Sequence, residues 1–211
     1  MTIHHVDEVR SHWWPREGWW LGRLVHTWHL TFEHAPQLHR LAERYQSALA
    51  TIDGHKAIPT RWLHLTLQSV GYADEVSDDR LAQVTKAVSA RVGELPPFEL
   101  TFHRPTVVGE AVVLTPTPEG PVHRLWQEIR AGITEATGNT PRTKAFHPHV
   151  SLTYFNTPGP AQPYVEALNT AEAEPVGVNV DQVALIVQRR VLEPEWVYRW
   201  DLNTTAPLAT R

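Results

Sequence analysis

Phe146-His147-Pro148-His149-Val150-Ser151-Leu152-Thr153-Tyr154-Phe155 has an earlier echo in Trp62-Leu63-His64-Leu65-Thr66-Leu67-Gln68. Both stretches alternate apolar and polar residues at period two, which predicts short strands. Residues two apart on a strand share a face. His64 and Thr66 therefore share one face, with Leu63, Leu65 and Leu67 on the other. His149 and Ser151 likewise share a face, backed by Val150, Leu152 and Tyr154. Gln68 continues the His64/Thr66 face, so it either lines the same surface or ends the strand as an ordinary polar residue. Each strand offers an imidazole and a hydroxyl two residues on.

Two such strands side by side would bring two imidazoles and two hydroxyls to one spot. That set suits a phosphate ester. One neutral histidine takes a proton from an attacking water or hydroxyl, and the other, protonated, gives one to the leaving oxygen. The hydroxyls donate to non-bridging phosphate oxygens, where transition-state charge must be held. Histidine fits both tasks because its ordinary pKa, about 6.5, lies near working pH. Neither task requires a metal or another cofactor.

On these residues the sequence resembles the two-histidine (2H) phosphoesterases, which include 2′-5′ RNA ligase-like proteins and cyclic nucleotide phosphodiesterases. Their signature is two copies of His-x-Thr/Ser-x with x usually apolar. Here the copies are His64-Leu65-Thr66-Leu67 and His149-Val150-Ser151-Leu152, the second preceded by Pro148. The resemblance implies an α+β fold: bilobal, pseudo-symmetric antiparallel sheets, helices outside, and an active site in the central cleft. It implies that His64 and His149 are the catalytic acid–base pair and that Thr66 and Ser151 bind phosphate. His29, Gln68 and Tyr154 are added as candidate substrate contacts. The family often has a basic or polar residue after the second motif, where Thr153-Tyr154 stands here.

A single match to the pattern is weak, since His29-Leu30-Thr31-Phe32 also fits in a chain with 13 histidines. Framing selects the pair. His64 and His149 are each followed by a helix-like stretch and then a strand-like stretch with Pro ahead of it, Pro97 to Phe102 and Pro175 to Val180. His29 lacks that frame. On its own strand it shares a face with Thr27 and Thr31, opposite Trp28, Leu30 and Phe32. It is either a third imidazole near phosphate or base, or a hydrogen-bonded structural residue.

The chain has 211 residues, 42% hydrophobic and 20% charged, which suits one soluble domain with a sizeable core. We expect a single 2H-like domain over 1–211, with lobes divided near 116–120 and an N-terminal arm over 1–22. There is no Cys, which excludes disulfides, thiolate metal sites and thiol catalysis. It also fits a cytoplasmic protein. The N-terminus has no apolar signal-peptide core, and no apolar run is long enough to cross a bilayer. The net charge of −4 argues against gripping long duplex nucleic acid, which calls for a basic face. The expected partner is a small nucleotide or an RNA terminus, and the expected state is a monomer.

In the arm, His12-Trp13-Trp14-Pro15-Arg16-Glu17-Gly18-Trp19-Trp20 reads first as indoles packed over the body, and second as a stacking platform for a base. His4, His5 and His12 are expected at the surface. Amphipathic helices are predicted over 36–50, from Ser77 to Val92 with Ser77 as cap, over 121–136 and over 163–172. Strands are expected at 98–103, 106–109, 111–115, 178–191 and 196–202, with a turn at Gly109-Glu110. Residues 51–61 read as a loop and 203–211 as a polar tail. Arg142 and Lys144 lie in a solvated loop before the second motif, where cations can meet phosphate. His147 and His149 have chelating spacing, but Pro148 intervenes and no acidic residue is near, so metal binding is the less favoured use.

The leading functional expectation is a metal-independent phosphoric diester hydrolase acting on 2′,3′-cyclic phosphates or 2′-5′-linked oligonucleotides. The reverse reaction, 2′-5′ RNA ligation, uses the same groups. A non-catalytic nucleotide or RNA-end binding module of the same fold is the alternative. A third reading, histidines that are merely structural, explains each motif alone but not their duplicated framing.

Overall fold

The structure is a computed structural model and describes residues 4–142 and 145–209. In chain order its strands are β1 (Glu8–Val9), β2 (Val25–Thr31), β3 (His55–Ala57), β4 (His64–Tyr72), β5 (Phe98–Phe102), β6 (Pro105–Val108), β7 (Ala111–Leu114), β8 (Val150–Phe155), β9 (Gly159–Pro160), β10 (Val176–Val180), β11 (Gln182–Val191) and β12 (Val197–Pro207). The helices are α1 (Pro36–Leu49), α2 (Asp78–Val92), α3 (Glu119–Thr137) and α4 (Gln162–Thr170). This is the expected α+β class.

Local chemistry sets the helix limits. Pro36 opens α1, where its missing N–H costs nothing. Ser77 caps α2 by accepting from the Arg80 N–H, and Asp78 and Asp79 sit in the positive first turn. Gly138 ends α3 in the left-handed conformation that glycine tolerates best. Apolar stripes bury these helices: Leu81, Val84, Val88 and Val92 on α2, and Val122, Leu125, Ile129 and Ile133 on α3. The two helices meet at Gly132, where a Cβ would lie 2.8 Å from the Val88 Cα.

Two antiparallel sheets dominate, ordered β12-β11-β2-β4 and β3-β8-β7-β6, while β5 pairs with β10. The chain makes two passes of one plan: β2-α1-β4-α2-β5-β6, then β7-α3-β8-α4-β10-β11. The Gly109-Glu110 hairpin joins them. Each four-stranded sheet takes two strands of one pass and completes itself from the other part of the chain: β11 and β12 add beside β2, and β6 and β3 flank β7 and β8. The first helix of each pass also crosses over. α1 packs on β8, and α3 packs on β4. The β5–β10 pair joins matching strands of the two passes.

Several expectations change. The motif strands β4 and β8 are not hydrogen-bonded side by side; they belong to facing sheets. The division near 116–120 does not separate the sheets, because segments on either side of it contribute to both. The loop over 51–61 contains β3, which extends the second sheet along β8. The tail is structured through 207: β12 continues to Pro207, with Ala206 and Leu208 buried. Polar residues at 203–205 mask a strand whose pairing with β11 is backbone chemistry. Lys144 lies outside the described residues. Among the described residues, no helix is long and apolar enough to cross a membrane.

Candidate active site

The facing sheets enclose a cleft of about 520 Å³, lined among others by His64, Thr66, His149 and Ser151. The two motifs are built alike. The His64 Nδ1 lies 2.8 Å from the Trp62 carbonyl oxygen, and the His149 Nδ1 lies 2.8 Å from the His147 carbonyl oxygen. A carbonyl only accepts, so each Nδ1 carries the hydrogen and each Nε2 is the free nitrogen.

Each motif is followed by a β-bulge at its fourth residue. On β4, Thr66 pairs with His29 and Gln68 with Trp28, leaving Leu67 extra. On β8, Ser151 pairs with Val113 and Thr153 with Val112, leaving Leu152 extra. A bulge resets the side-chain alternation. Ser69 and Tyr154 therefore join the motif face and line the cleft, whereas Gln68 and Thr153 turn away. Two expectations reverse. Tyr154, placed on the apolar face by strict alternation though also named a candidate substrate contact, lines the cleft. Gln68 does not line it, and instead accepts a 2.9 Å bond from Arg130 of α3. No break in the sequence pattern marks the bulges, since Leu67-Gln68 and Leu152-Thr153 keep perfect period two.

His29 is fully buried behind the motif on the cleft-side face of β2. Its Nε2 lies 2.9 Å from the Thr66 Oγ1, and its ring lies 4.6 Å from that of His64. It supports Thr66 rather than lining the cavity. Arg142 is exposed and does not line it either.

Burial lowers the pKa of all these histidines by disfavouring the cation. His64 falls to about 4, burial being opposed by the Trp62 carbonyl and assisted by His149 and His12. His29 lies well below its ordinary value through burial and then through His64. His149, on the more open side, is also lowered, by the protein packed around it and by His147. Both motif histidines are therefore neutral at pH 7.

The arm supplies the residues that the sequence reading missed. His12 is part of the cleft wall, not the surface. Its ring stacks on Tyr154 at 4.2 Å, its Nε2 is 2.8 Å from the Tyr198 hydroxyl, and its Nδ1 is 3.3 Å from the Glu110 carboxylate. Trp13 is buried against Tyr154 and Tyr198, as the packing reading expects, whereas Trp14 and Trp20 are exposed. Arg190 of β11 fixes the arm by donating to the carbonyls of Trp14 and Trp19. The signal in the sequence was the mixture of His12, Arg16 and Trp19 within a few residues. Among the described residues, no group of three or more His, Asp or Glu is arranged to hold a metal ion.

The model of the 2′-5′ RNA ligase superfamily matches residues 29–192, most of the chain. No curated protein sequence matches. Among solved structures, TT0787 of Thermus thermophilus is similar, with a TM-score of 0.64 and 20% identity over 88% of this chain and 97% of that one. Escherichia coli LigT in its apo form gives 0.61 at 15% identity, covering 89% of this chain and 99% of that one. LigT complexed with 3′-AMP gives 0.63 at 16% identity over the same shares. At these identities the likeness is one of fold.

Proposed function

Because this chain belongs to the 2′-5′ RNA ligase superfamily, we propose that it is a phosphoric diester hydrolase that opens 2′,3′-cyclic phosphates of nucleotides or RNA ends, or cleaves 2′-5′ linkages, by two-histidine acid–base catalysis. The observation that carries this reading is the matched pair of imidazoles. Each is fixed through Nδ1 by the carbonyl two residues upstream, and each stands beside a hydroxyl in one cleft. The solved complexes of E. coli LigT with 3′-AMP, ATP and NADP+ support a small nucleotide as ligand. The reading includes a cytoplasmic monomer acting on small nucleotides or RNA termini.

His64, neutral with a pKa of about 4, is the proton acceptor. Its Nε2 takes a proton from water as the water oxygen bonds to phosphorus. The bond from phosphorus to the ribose 2′ or 3′ oxygen breaks, and the Nε2–H of His149 gives that oxygen its proton. The negative phosphate favours the protonated form of His149 once bound. Thr66 and Ser151 donate to the non-bridging oxygens, with Thr66 positioned by His29. Afterwards His64 is protonated and His149 neutral, and exchange with water restores both. Ligation uses the same groups with a 5′-hydroxyl in place of water: His64 takes its proton as its oxygen bonds to phosphorus, and the 3′ oxygen leaves with the proton of His149, which makes a 2′-5′ linkage.

The test is hydrolysis of the four nucleoside 2′,3′-cyclic phosphates in EDTA. His64→Ala and His149→Ala are each expected to lower turnover by roughly 10²- to 10⁴-fold with the fold retained. Turnover that EDTA abolishes, or that either variant retains, would overturn the mechanism. Ligand binding without turnover in the wild type would favour the non-catalytic module.

A further inference from the structure

The cleft has a second end that the motifs do not build. It is formed by arm residues 10–19, which precede residue 29, where the family match begins. Arg16 lines the cavity there with its side chain 28% exposed. Its guanidinium carbon lies 5.4 Å from the Trp14 ring centre and 6.0 Å from that of Trp19, so two indoles steady it. Its acceptors are poor. One Nη is 3.4 Å from His12 Nε2 and 3.8 Å from the Glu110 carboxylate, and its Nε is buried with no partner among the described residues. Arg10 reaches the same carboxylate at 2.9 Å and is otherwise 73% exposed. Arg190 is engaged by the Trp14 and Trp19 carbonyls of the arm. Two guanidiniums, Arg10 and Arg16, thus face one carboxylate, in a chain whose net charge is −4. Glu110 cannot balance them, although it is firmly ionised. Burial would raise its pKa, but His12, Trp14 and Arg16 pull it down to about 2.

This cationic end is continuous with the motif end. Tyr154 shares β8 with Ser151 and stacks on His12, and His12 touches Arg16. We propose that the arm end is a second anion subsite, centred on Arg16 and assisted by Arg10. It takes a second phosphoryl group of a nucleotide whose reacting phosphate lies at Thr66 and Ser151. The placement of that first phosphate rests on the function proposed above. A phosphoryl oxygen supplies the acceptor that the held guanidinium lacks, and the planar fork suits it. The preferred substrate then carries two separated phosphates, either as a terminal phosphate or as the next phosphodiester of an oligonucleotide.

The test is binding of 3′-AMP and of adenosine 3′,5′-bisphosphate by calorimetry, in the wild type and in Arg16→Gln, Arg16→Lys and Arg10→Gln. A charge-assisted hydrogen bond corresponds to roughly a tenfold to hundredfold preference for the bisphosphate in the wild type. Arg16→Gln is expected to bring the ratio toward one, Arg16→Lys to keep part of it, and Arg10→Gln to reduce it severalfold. Arg10→Gln and Arg16→Lys keep the test decisive if Arg16→Gln does not fold. A wild-type ratio near one, or a ratio that the variants leave unchanged, overturns the subsite. Turnover of adenosine 2′,3′-cyclic phosphate, its 5′-phosphorylated form and a dinucleotide ending in a cyclic phosphate separates the two sources. Where the first compound is turned over, a gain with the second indicates a terminal phosphate, a gain with the third an internal diester, and no gain with either overturns the proposal. Arginine-dependent bisphosphate binding without turnover leaves the subsite standing and removes the hydrolase reading. Turnover without a bisphosphate preference does the reverse.

Discussion

At His64 and His149 the carbonyl two residues upstream accepts the Nδ1 hydrogen, so the backbone of each motif chooses which nitrogen meets the substrate. Their different burial gives the pair a pH signature. His64 must be neutral to accept a proton, so kcat/KM rises as pH climbs through about 4. His149 must be protonated to donate, and its pKa lies below 6.5, so kcat/KM falls as pH climbs through that lowered value. A bell with its optimum between about pH 4 and 6.5 is expected for a nucleoside cyclic phosphate. Activity still rising through neutrality would remove His149 as the acid. The four motif residues were legible because type and spacing carry their chemistry. Ser69 was not, and of the candidate contacts Tyr154 lines the cleft while Gln68 does not, because a bulge reverses side-chain direction along the strand without altering the pattern. His12 was not, because its place depends on where the arm folds back.

The elements that hold the motifs come from the opposite pass of the chain. From α1, Gln46 Nε2 donates to the carbonyl of the bulge residue Leu152 at 2.8 Å. From α3, Arg130 holds the side chain of Gln68, the residue after the other bulge. Each motif strand is therefore braced by a swapped helix, and the seat of α3 depends on its contact with α2. Gly132→Ala would gain up to about 1 kcal/mol of helix propensity, but its Cβ would meet the Val88 Cα and N at 2.8 and 2.9 Å. Those atoms are backbone and cannot rotate away, so a net loss of about 1–3 kcal/mol is expected by urea unfolding. An unchanged or higher midpoint would contradict the close approach. Helix positions and the Gly109-Glu110 hairpin were readable from periodicity, caps and turn chemistry. The partner sheet of each helix was not, because an apolar stripe states only that it will be buried.

At the scale of the whole molecule, enclosing neutral histidines ties stability to pH. His29 and His64 have folded pKa values below their ordinary 6.5, so the unfolded chain binds more protons between the folded and unfolded values. Stability is full above about pH 6.5 and is lost as pH falls toward 4, by up to about 1.4 kcal/mol per pH unit for each histidine. Glu110, lowered to about 2, adds a loss in the same direction only below its ordinary 4.5. The melting temperature is expected to fall between pH 6.5 and 4.5, and a flat profile there would show that these imidazoles are not held neutral.

The sequence by itself determined the α+β class, the four helices, most of the strands and the two His-x-Thr/Ser-x motifs, because those follow from local periodicity and from the chemistry of single side chains. It also showed that the plan occurs twice. Only the tertiary structure decided that the passes exchange a strand and a helix, that the motif strands face each other across a cleft, and that the arm closes one end with arginines. Those outcomes depend on pairings between residues far apart in the chain. Local pattern constrains such pairings only by requiring that apolar faces be covered, and both the swapped and unswapped arrangements meet that requirement.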